Sequence, residues 1–251
     1  MKTAILITAR LKSKRLPFKV LNEIKGKPML YHMLERLKLA EKPEKIILCT
    51  STVAQDDPLE EFSKNNAIEC YRGHPDDVLF RLTEAAKKFN VDTVISCTAD
   101  NPFVDPIYID RLIDFHNDNG FDYTQSRGLP FGTFSYALRY EAMEKVCKIK
   151  DDVDTEIWGG FFTQSGIFSC GTMIVNDKTV SWPELRLSVD TPLDFKLIEK
   201  IFDYLYKPGS VFSLAEIVSL CRKYPDLPLT NATVVQKKRH AYAFKKNVNL
   251  K

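Results

Sequence analysis

The 251-residue chain carries 36 Lys and Arg against 33 Asp and Glu, a net charge of +3, and is 44% hydrophobic. So small a positive excess argues against a nucleic-acid partner, and the balance is that of an ordinary globular protein whose core needs no staples. No apolar run approaches a membrane span, and the six cysteines form no CxxC pair, so no zinc or thioredoxin-like motif is present and a reducing cytoplasm without disulfides is expected.

In chain order, Thr3 to Thr8 reads as a first buried strand. It is too short for a signal peptide and is followed at once by cations. Met29, Leu30, Met33, Leu34 and Leu37 recur at helical spacing within 28–40. Residues 45–50 predict a strand, 59–65 a short helix and 68–71 a third strand. A helix over 76–89 turns Val78, Leu79, Leu82 and Ala85 to one face. Residues 93–98 form a fourth strand and 107–117 another helix, with His116 expected at its surface. The stretch 122–180 is broken by glycines and reads as irregular, the kind of region that carries specificity. Leu185, Leu187 and Val189 alternate as in a strand. A helix from Thr191-Pro192 to about Tyr206 follows, then one over 213–222 with Ser213 as N-cap.

This βαβα alternation predicts a single α/β domain with a mostly parallel sheet covered by helices on both faces. The domain is expected over 1–230, with a nucleotide half over about 1–120 and an acceptor-binding part over about 121–190. Residues 231–251 form a basic tail that includes Lys237, Lys238, Arg239, Lys245, Lys246 and Lys251. Ligands in such sheets bind at the carboxyl ends of strands, so the residues after each strand carry the chemistry.

After the first strand comes Ala9-Arg10-Leu11-Lys12-Ser13-Lys14-Arg15-Leu16-Pro17-Phe18-Lys19, with five cationic side chains. Polyphosphate binding needs such a loop, although a solvated basic loop is the plain alternative. It holds neither GxxxxGK[ST] nor GxGxxG. Asp100, after the fourth strand, and Asp190, after the late one, put two carboxylates where the sheet presents ligands. Together with the basic loop they suit Mg²⁺, with phosphate and water completing the shell; either alone could be a turn or cap residue. In Arg72-Gly73-His74-Pro75-Asp76-Asp77, an Asp can cap the next helix. Arg72 and Arg81 could instead approach a nucleotide, and the two readings stand level.

These residues carry a resemblance. Ala9-Arg10, Ser13, Arg15-Leu16-Pro17, Lys19-Val20-Leu21 and Gly26-Lys27-Pro28 resemble the opening of CMP-sugar synthetases, the 2-keto-3-deoxy-octonate and acylneuraminate cytidylyltransferases. Arg72 to Arg81, Asp100 to Pro106 and Leu185 to Phe195 are closer to the spore-coat polysaccharide branch, and the likeness runs in order from about residue 3 to 205. It implies a Rossmann-like fold of the nucleotide-diphospho-sugar transferase type. The implied reaction moves CMP from CTP to an activated-sugar acceptor in surface polysaccharide biosynthesis, with Mg²⁺ and release of pyrophosphate. The backbone at Ala9 and Arg10 would read cytosine; Arg10, Arg15 and Lys19 would hold the triphosphate, with Ser13, Arg72, Asp76, Asp77 and Arg81 also at the nucleotide. Arg10, Lys19, Asp100 and Asp190 would be the catalytic set, with Asp100 and Asp190 binding the metal. Homodimers are common in these families, so one is expected, without nucleic-acid or membrane partners.

The chain departs from the pattern in three places. Phe18 stands where the family loop usually has Gly. Thr133-Phe134-Ser135-Tyr136 replaces acidic residues, and 152–158 replaces a His-containing pattern. Loss of acids near the acceptor suits an anionic acceptor, a sugar acid or sugar phosphate. Competing readings are a sugar-phosphate nucleotidyltransferase using another triphosphate and a nucleotide-sugar-dependent glycosyltransferase. The latter would take Asp152-Val153-Asp154 as its DxD, a cluster that reads better as a helix start.

Overall fold

The computed structural model describes residues 1–236 and 241–245. Its elements are β1 (Thr3–Thr8), a 3₁₀ turn (Lys19–Leu21), the hairpin β2 (Glu23–Ile24) and β3 (Lys27–Pro28), α1 (Met29–Leu37), β4 (Lys45–Ser51), α2 (Asp57–Asn65), β5 (Glu69–Gly73), α3 (Val78–Phe89) and β6 (Thr93–Thr98). Then come α4 (Pro106–Asn119), β7 (Tyr123–Arg127), β8 (Tyr136–Arg139), α5 (Tyr140–Ile149), α6 (Gly160–Thr163), β9 (Cys170–Ile174), α7 (Pro192–Leu205), α8 (Leu214–Lys223) and α9 (Asp226–Leu229).

A seven-stranded sheet runs β5-β4-β1-β6-β8-β7-β9. β8 pairs antiparallel with both of its neighbours, and the other pairings are parallel. The alternation of β1 divides the core. Ile5 and Ile7 pack on the side of α1, α4, α7 and α8, whereas Ala4 and Leu6 pack on the side of α3, α5 and α6. Every residue of β1 is buried, as expected for a strand covered on both faces.

Local chemistry sets the helix starts. Asp77 caps α3 by accepting from Phe80 N at 3.0 Å, and Asp105 caps α4 through Ile107 N and Tyr108 N. Thr191 with Asp194, and Ser213 with Glu216, form reciprocal capping boxes on α7 and α8.

Several sequence expectations need correction. The alternation at 185–189 builds no full strand; only Arg186 pairs, in an isolated parallel bridge to Phe131. The 122–180 region is more ordered than its glycines suggest and supplies β7, β8, α5, α6 and β9. Asp152-Val153-Asp154 starts no helix: Asp154 Oδ1 accepts from Glu156 N at 3.1 Å in a local turn, and α6 begins only at Gly160. All six cysteines are free, and among the described residues no helix is long and apolar enough to cross a membrane.

The described part of the expected tail is not detached. Asn231 is buried. Residues 241–245 lie along the end of α5, with Asp151 N donating to Ala243 O (2.9 Å) and Lys245 N to Ile149 O (2.8 Å). Tyr242 packs edge-on against Phe161, ring centroids 4.9 Å apart. Lys237, Lys238, Arg239, His240, Lys246 and Lys251 lie outside the described residues.

His116 is not at the surface: it is 1% exposed. Its Nδ1 pairs with Thr124 Oγ1 at 2.9 Å, and Nε2 is buried without a partner among the described residues. Burial, reinforced by Arg139, pushes it down to about 4. An unfolded histidine takes its proton near pH 6.5, so native stability falls as pH drops from about 6.5 towards 4. The expected loss is about 2 kcal/mol at pH 5. Urea midpoints at pH 7 and 5 should show that loss in the wild type and lose about that much less in His116→Gln.

Candidate active site

The carboxyl ends of β1, β6 and β7 open into a cleft of about 1240 Å³. The basic loop after β1 forms one wall. Ala9 extends the ladder by donating to Cys49 O at 3.2 Å. The loop is then pinned by Leu11, which is buried and donates from its backbone to Asp56 Oδ1 at 2.8 Å. Asp56 is itself buried and bonded to Ser51 Oγ. Ser13 Oγ accepts from Leu16 N at 3.4 Å. Phe18 then adopts φ 54°, ψ 19°, and Leu21 N closes on Phe18 O at 2.8 Å. This reversal leads into the turn that carries Lys19 to the strand ends.

Phe18 thus occupies a left-handed conformation, which explains why glycine suits that position. For a non-glycine residue this costs about 1–2 kcal/mol, and Phe18 recovers little of it by packing, being 43% exposed. Phe18→Gly should raise unfolding stability by about 0.5 kcal/mol, the relieved strain being partly offset by the freer unfolded chain, read from urea denaturation.

Lys19 is the centre of the site. Its Nζ donates to Asp100 Oδ2 at 3.1 Å, Asp190 Oδ1 at 3.0 Å and Val189 O at 2.6 Å. The backbone brings the two acids together, because Val189 N donates to Asp100 O at 2.8 Å. Arg15 Nη2 adds a contact to Asp190 Oδ1 at 3.3 Å. Burial alone would lower the Lys19 ammonium, but Asp100 and Asp190 hold it above its usual value. Burial alone would raise Asp190, but Lys19, Arg186 and Arg15 hold it below the usual carboxylate range.

Ala9, Arg10, Ser13, Arg15, Lys19, Arg81, Asp100 and Asp190 all line the cleft. Arg10 reaches Asp76 Oδ1 at 3.0 Å and also Pro75 O. Arg81 is buried, donating to His74 O at 2.6 Å; burial, with Arg10 nearby, pushes it down to about 10, so it stays charged at neutral pH.

Arg72, Asp76 and Asp77 are not among the lining residues. Arg72 instead ties β5 to α2, donating to Ser51 O, Val53 O, Glu60 and Asp57. Asp77 is consumed by the α3 cap, Thr155 and Lys150. Asp76 braces the basic loop through Arg10 and Lys12. The structure thus gives these three tying and bracing bonds around the basic loop and β5.

The opposite wall includes Phe134, Tyr136 and Trp158 from the two stretches expected near the acceptor; sequence reasoning missed Tyr123, Gln125 and Arg127 from β7 and Gln236 and Tyr242 from the expected tail. Their alternation along β7, odd residues facing the cleft, was the available clue. Gly132 lets this wall approach: at φ +93°, an added Cβ would lie 2.6 Å from Ser188 N and 2.8 Å from its Cα.

Among the described residues no group of three or more His, Cys, Asp or Glu forms a metal cage. The two converging carboxylates nonetheless fit Mg²⁺. It prefers hard oxygen ligands and commonly takes one or two carboxylates plus phosphates and water, and a cation, the Lys19 ammonium, already lies between them.

A parallel sheet that delivers a cation-rich loop and two acids to one cleft is how a nucleotidyltransferase is built. A model described as cytidylyltransferase matches residues 4–157, and the chain belongs to that family. It is 25% identical to the spore coat polysaccharide biosynthesis protein SpsF of Bacillus subtilis, over 88% of this chain and 94% of that one. It is 29% identical to an uncharacterized protein, MJ1063, of Methanocaldococcus jannaschii, over 94% and 97%. A solved cytidylyltransferase from Leptospira borgpetersenii superposes with a TM-score of 0.83 at 25% identity, covering 96% of this chain and all of that one.

Proposed function

We propose that this enzyme transfers CMP from CTP to an anionic sugar acceptor, a sugar acid or sugar phosphate, with Mg²⁺, and releases pyrophosphate in surface polysaccharide biosynthesis. The observation that carries the reading is the Asp100–Lys19–Asp190 convergence under the basic loop. Arg10, Arg15 and Lys19 bind and orient the triphosphate, with Arg81 behind them. The acceptor oxygen attacks the α-phosphorus in line, the bond to the β-phosphate oxygen breaks, and the cations stabilise the departing pyrophosphate. Asp100 and Asp190 would hold Mg²⁺, which when bound neutralises charge on the phosphates. No protein nucleophile is needed.

The acceptor end supports an anionic substrate. Thr133, in the stretch where the family resemblance leads one to expect acids, is buried and bonded to Pro130 O at 2.9 Å. Arg127 is exposed on the cleft wall, with no ion pair among the described residues. Three carboxylates line the cleft, Asp100, Asp190 and Glu156, and the first two belong to the nucleotide end. The reading puts the reaction in the cytoplasm, as a homodimer.

The test is pyrophosphate release with Mg²⁺, each nucleoside triphosphate in turn, and a panel of 2-keto-3-deoxy sugar acids, sugar phosphates and neutral sugars. CTP-dependent release, lost by about 10³-fold or more in Asp100→Ala and Asp190→Ala, is the expected result. Preference for another triphosphate overturns the cytidylyl reading, and preference for neutral sugars overturns the anionic acceptor.

A further inference from the structure

We infer that Arg186 is a positioning residue that fixes which oxygen of Asp190 faces the reacting phosphates, an inference that rests on the metal-dependent reading above. Arg186 is not among the lining residues of the cleft, so it acts through its neighbours. Three different nitrogens of its guanidinium are engaged: Nη2 donates to Asp190 Oδ2 at 2.8 Å, Nε to Asp194 Oδ1 at 2.9 Å, and Nη1 to Gln236 Oε1 at 2.6 Å. The guanidinium also lies over Phe131, 5.2 Å from the ring centroid. A planar fork held at three points and on one face cannot turn.

The anchor behind it is firm. Asp194 is completely buried and accepts from Asn231 Nδ2 at 2.8 Å. Its second oxygen accepts from the backbone of Asp190 (3.0 Å) and Thr191 (2.8 Å) as part of the α7 cap. The start of α7 therefore holds Arg186, and Arg186 holds Asp190. This divides the two Asp190 oxygens: Oδ2 belongs to Arg186, while Oδ1 meets Lys19 at 3.0 Å and Arg15 at 3.3 Å on the cleft side. Asp190 presents one oxygen to a cation, not two. A lysine at 186 would keep the charge and lose the fork. Supporting residues behind a metal ligand typically govern about 10–100-fold in metal affinity.

Titration calorimetry of CTP, once with Mg²⁺ and once with EDTA, tests this on the wild type, Arg186→Lys and Gln236→Ala, with thermal melts alongside. Arg186→Lys should weaken the Mg²⁺ titration by about 10-fold or more and leave the EDTA titration nearly unchanged. Gln236→Ala should move the ratio the same way by less. Equal weakening in both titrations assigns Arg186 a merely structural part and overturns the inference; so does an unchanged ratio. If Arg186→Lys does not fold, Gln236→Ala decides: an unaltered ratio overturns the inference. A wild type that binds CTP equally with and without Mg²⁺ removes the metal part of the proposed function, and one that binds no CTP removes the function itself. Both failures are visible before any variant is compared.

Discussion

Lys19→Met is expected to lower CMP transfer by roughly 10²–10³-fold, measured as pyrophosphate release at saturating CTP. Methionine keeps much of the length and the apolar stem but removes the one cation that, among the described residues, is bonded to both Asp100 and Asp190. Two effects add. The triphosphate loses a positive contact that strengthens as charge develops on the leaving group, and two acids are left converging without their shared partner. Asp190 keeps Arg15 and Arg186, so it should not revert completely, but its pKa should rise. The sign of the wild-type pH dependence follows from the two shifts. Asp190 lies below its ordinary value, so its contribution to stability is complete above about pH 4 and is lost as pH falls through the lowered value. Lys19 lies above its ordinary value, so its contribution is complete below about pH 10.5 and is lost as pH rises through the raised one. Between those limits Lys19 and Asp190 stay ionised, and Lys19→Met should narrow the window from the acid side. A variant that releases pyrophosphate at the wild-type rate would reduce Lys19 to a structural tie.

Gly132→Ala should cost about 3–5 kcal/mol, the sum of a strained positive φ and a backbone collision. In a chain of this size that is on the order of 10 °C in melting temperature. The atoms in the way, Ser188 N and Cα, are main chain and cannot swing aside. The loop that carries Gly132 is held on both sides, Phe131 N donating to Leu185 O at 2.8 Å and Leu187 N to Phe131 O at 2.7 Å. Relief must therefore push the 185–190 segment away, and Asp190 moves with it. Calorimetric melting and pyrophosphate release should fall together. A melting temperature within a degree of the wild type would show that the loop yields more easily than its bonds suggest.

The parts of the fold legible in the sequence are those decided locally. β1 and β6 are written as short, largely apolar runs, and Thr191 and Ser213 announce their helices because capping is a matter of three or four neighbouring residues. The antiparallel insertion of β8 between β6 and β7 was not legible, since pairing direction depends on where a chain returns rather than on its periodicity. The segment 185–189 alternates like a strand, yet its one bridge is to Phe131 and further bonds go singly to Asp100, Lys19 and Asn231, so its pattern records burial without a ladder. Within the site, the strand-end rule brought Lys19, Asp100 and Asp190 to one cleft. Arg72 and Asp77 were harder because a charged residue beside a turn serves a cap or a ligand equally well. Only the position of α2, for Arg72, and of Lys150, for Asp77, decides between them. Arg186 was invisible as a hub because its partners lie 4, 8 and 50 positions away.

The placement of Gln236 and Tyr242 on the cleft wall makes the cleft a meeting of segments far apart in sequence. Arg186 takes one of its three side-chain contacts from Gln236, and the Tyr242 ring fills the space where a side chain at Gly160 would stand. The acceptor end is thus stitched from late residues onto a frame whose Lys19, Asp100 and Asp190 hold one another without them, so a cut between residue 235 and Tyr242 should loosen the acceptor wall before it disturbs the triphosphate end.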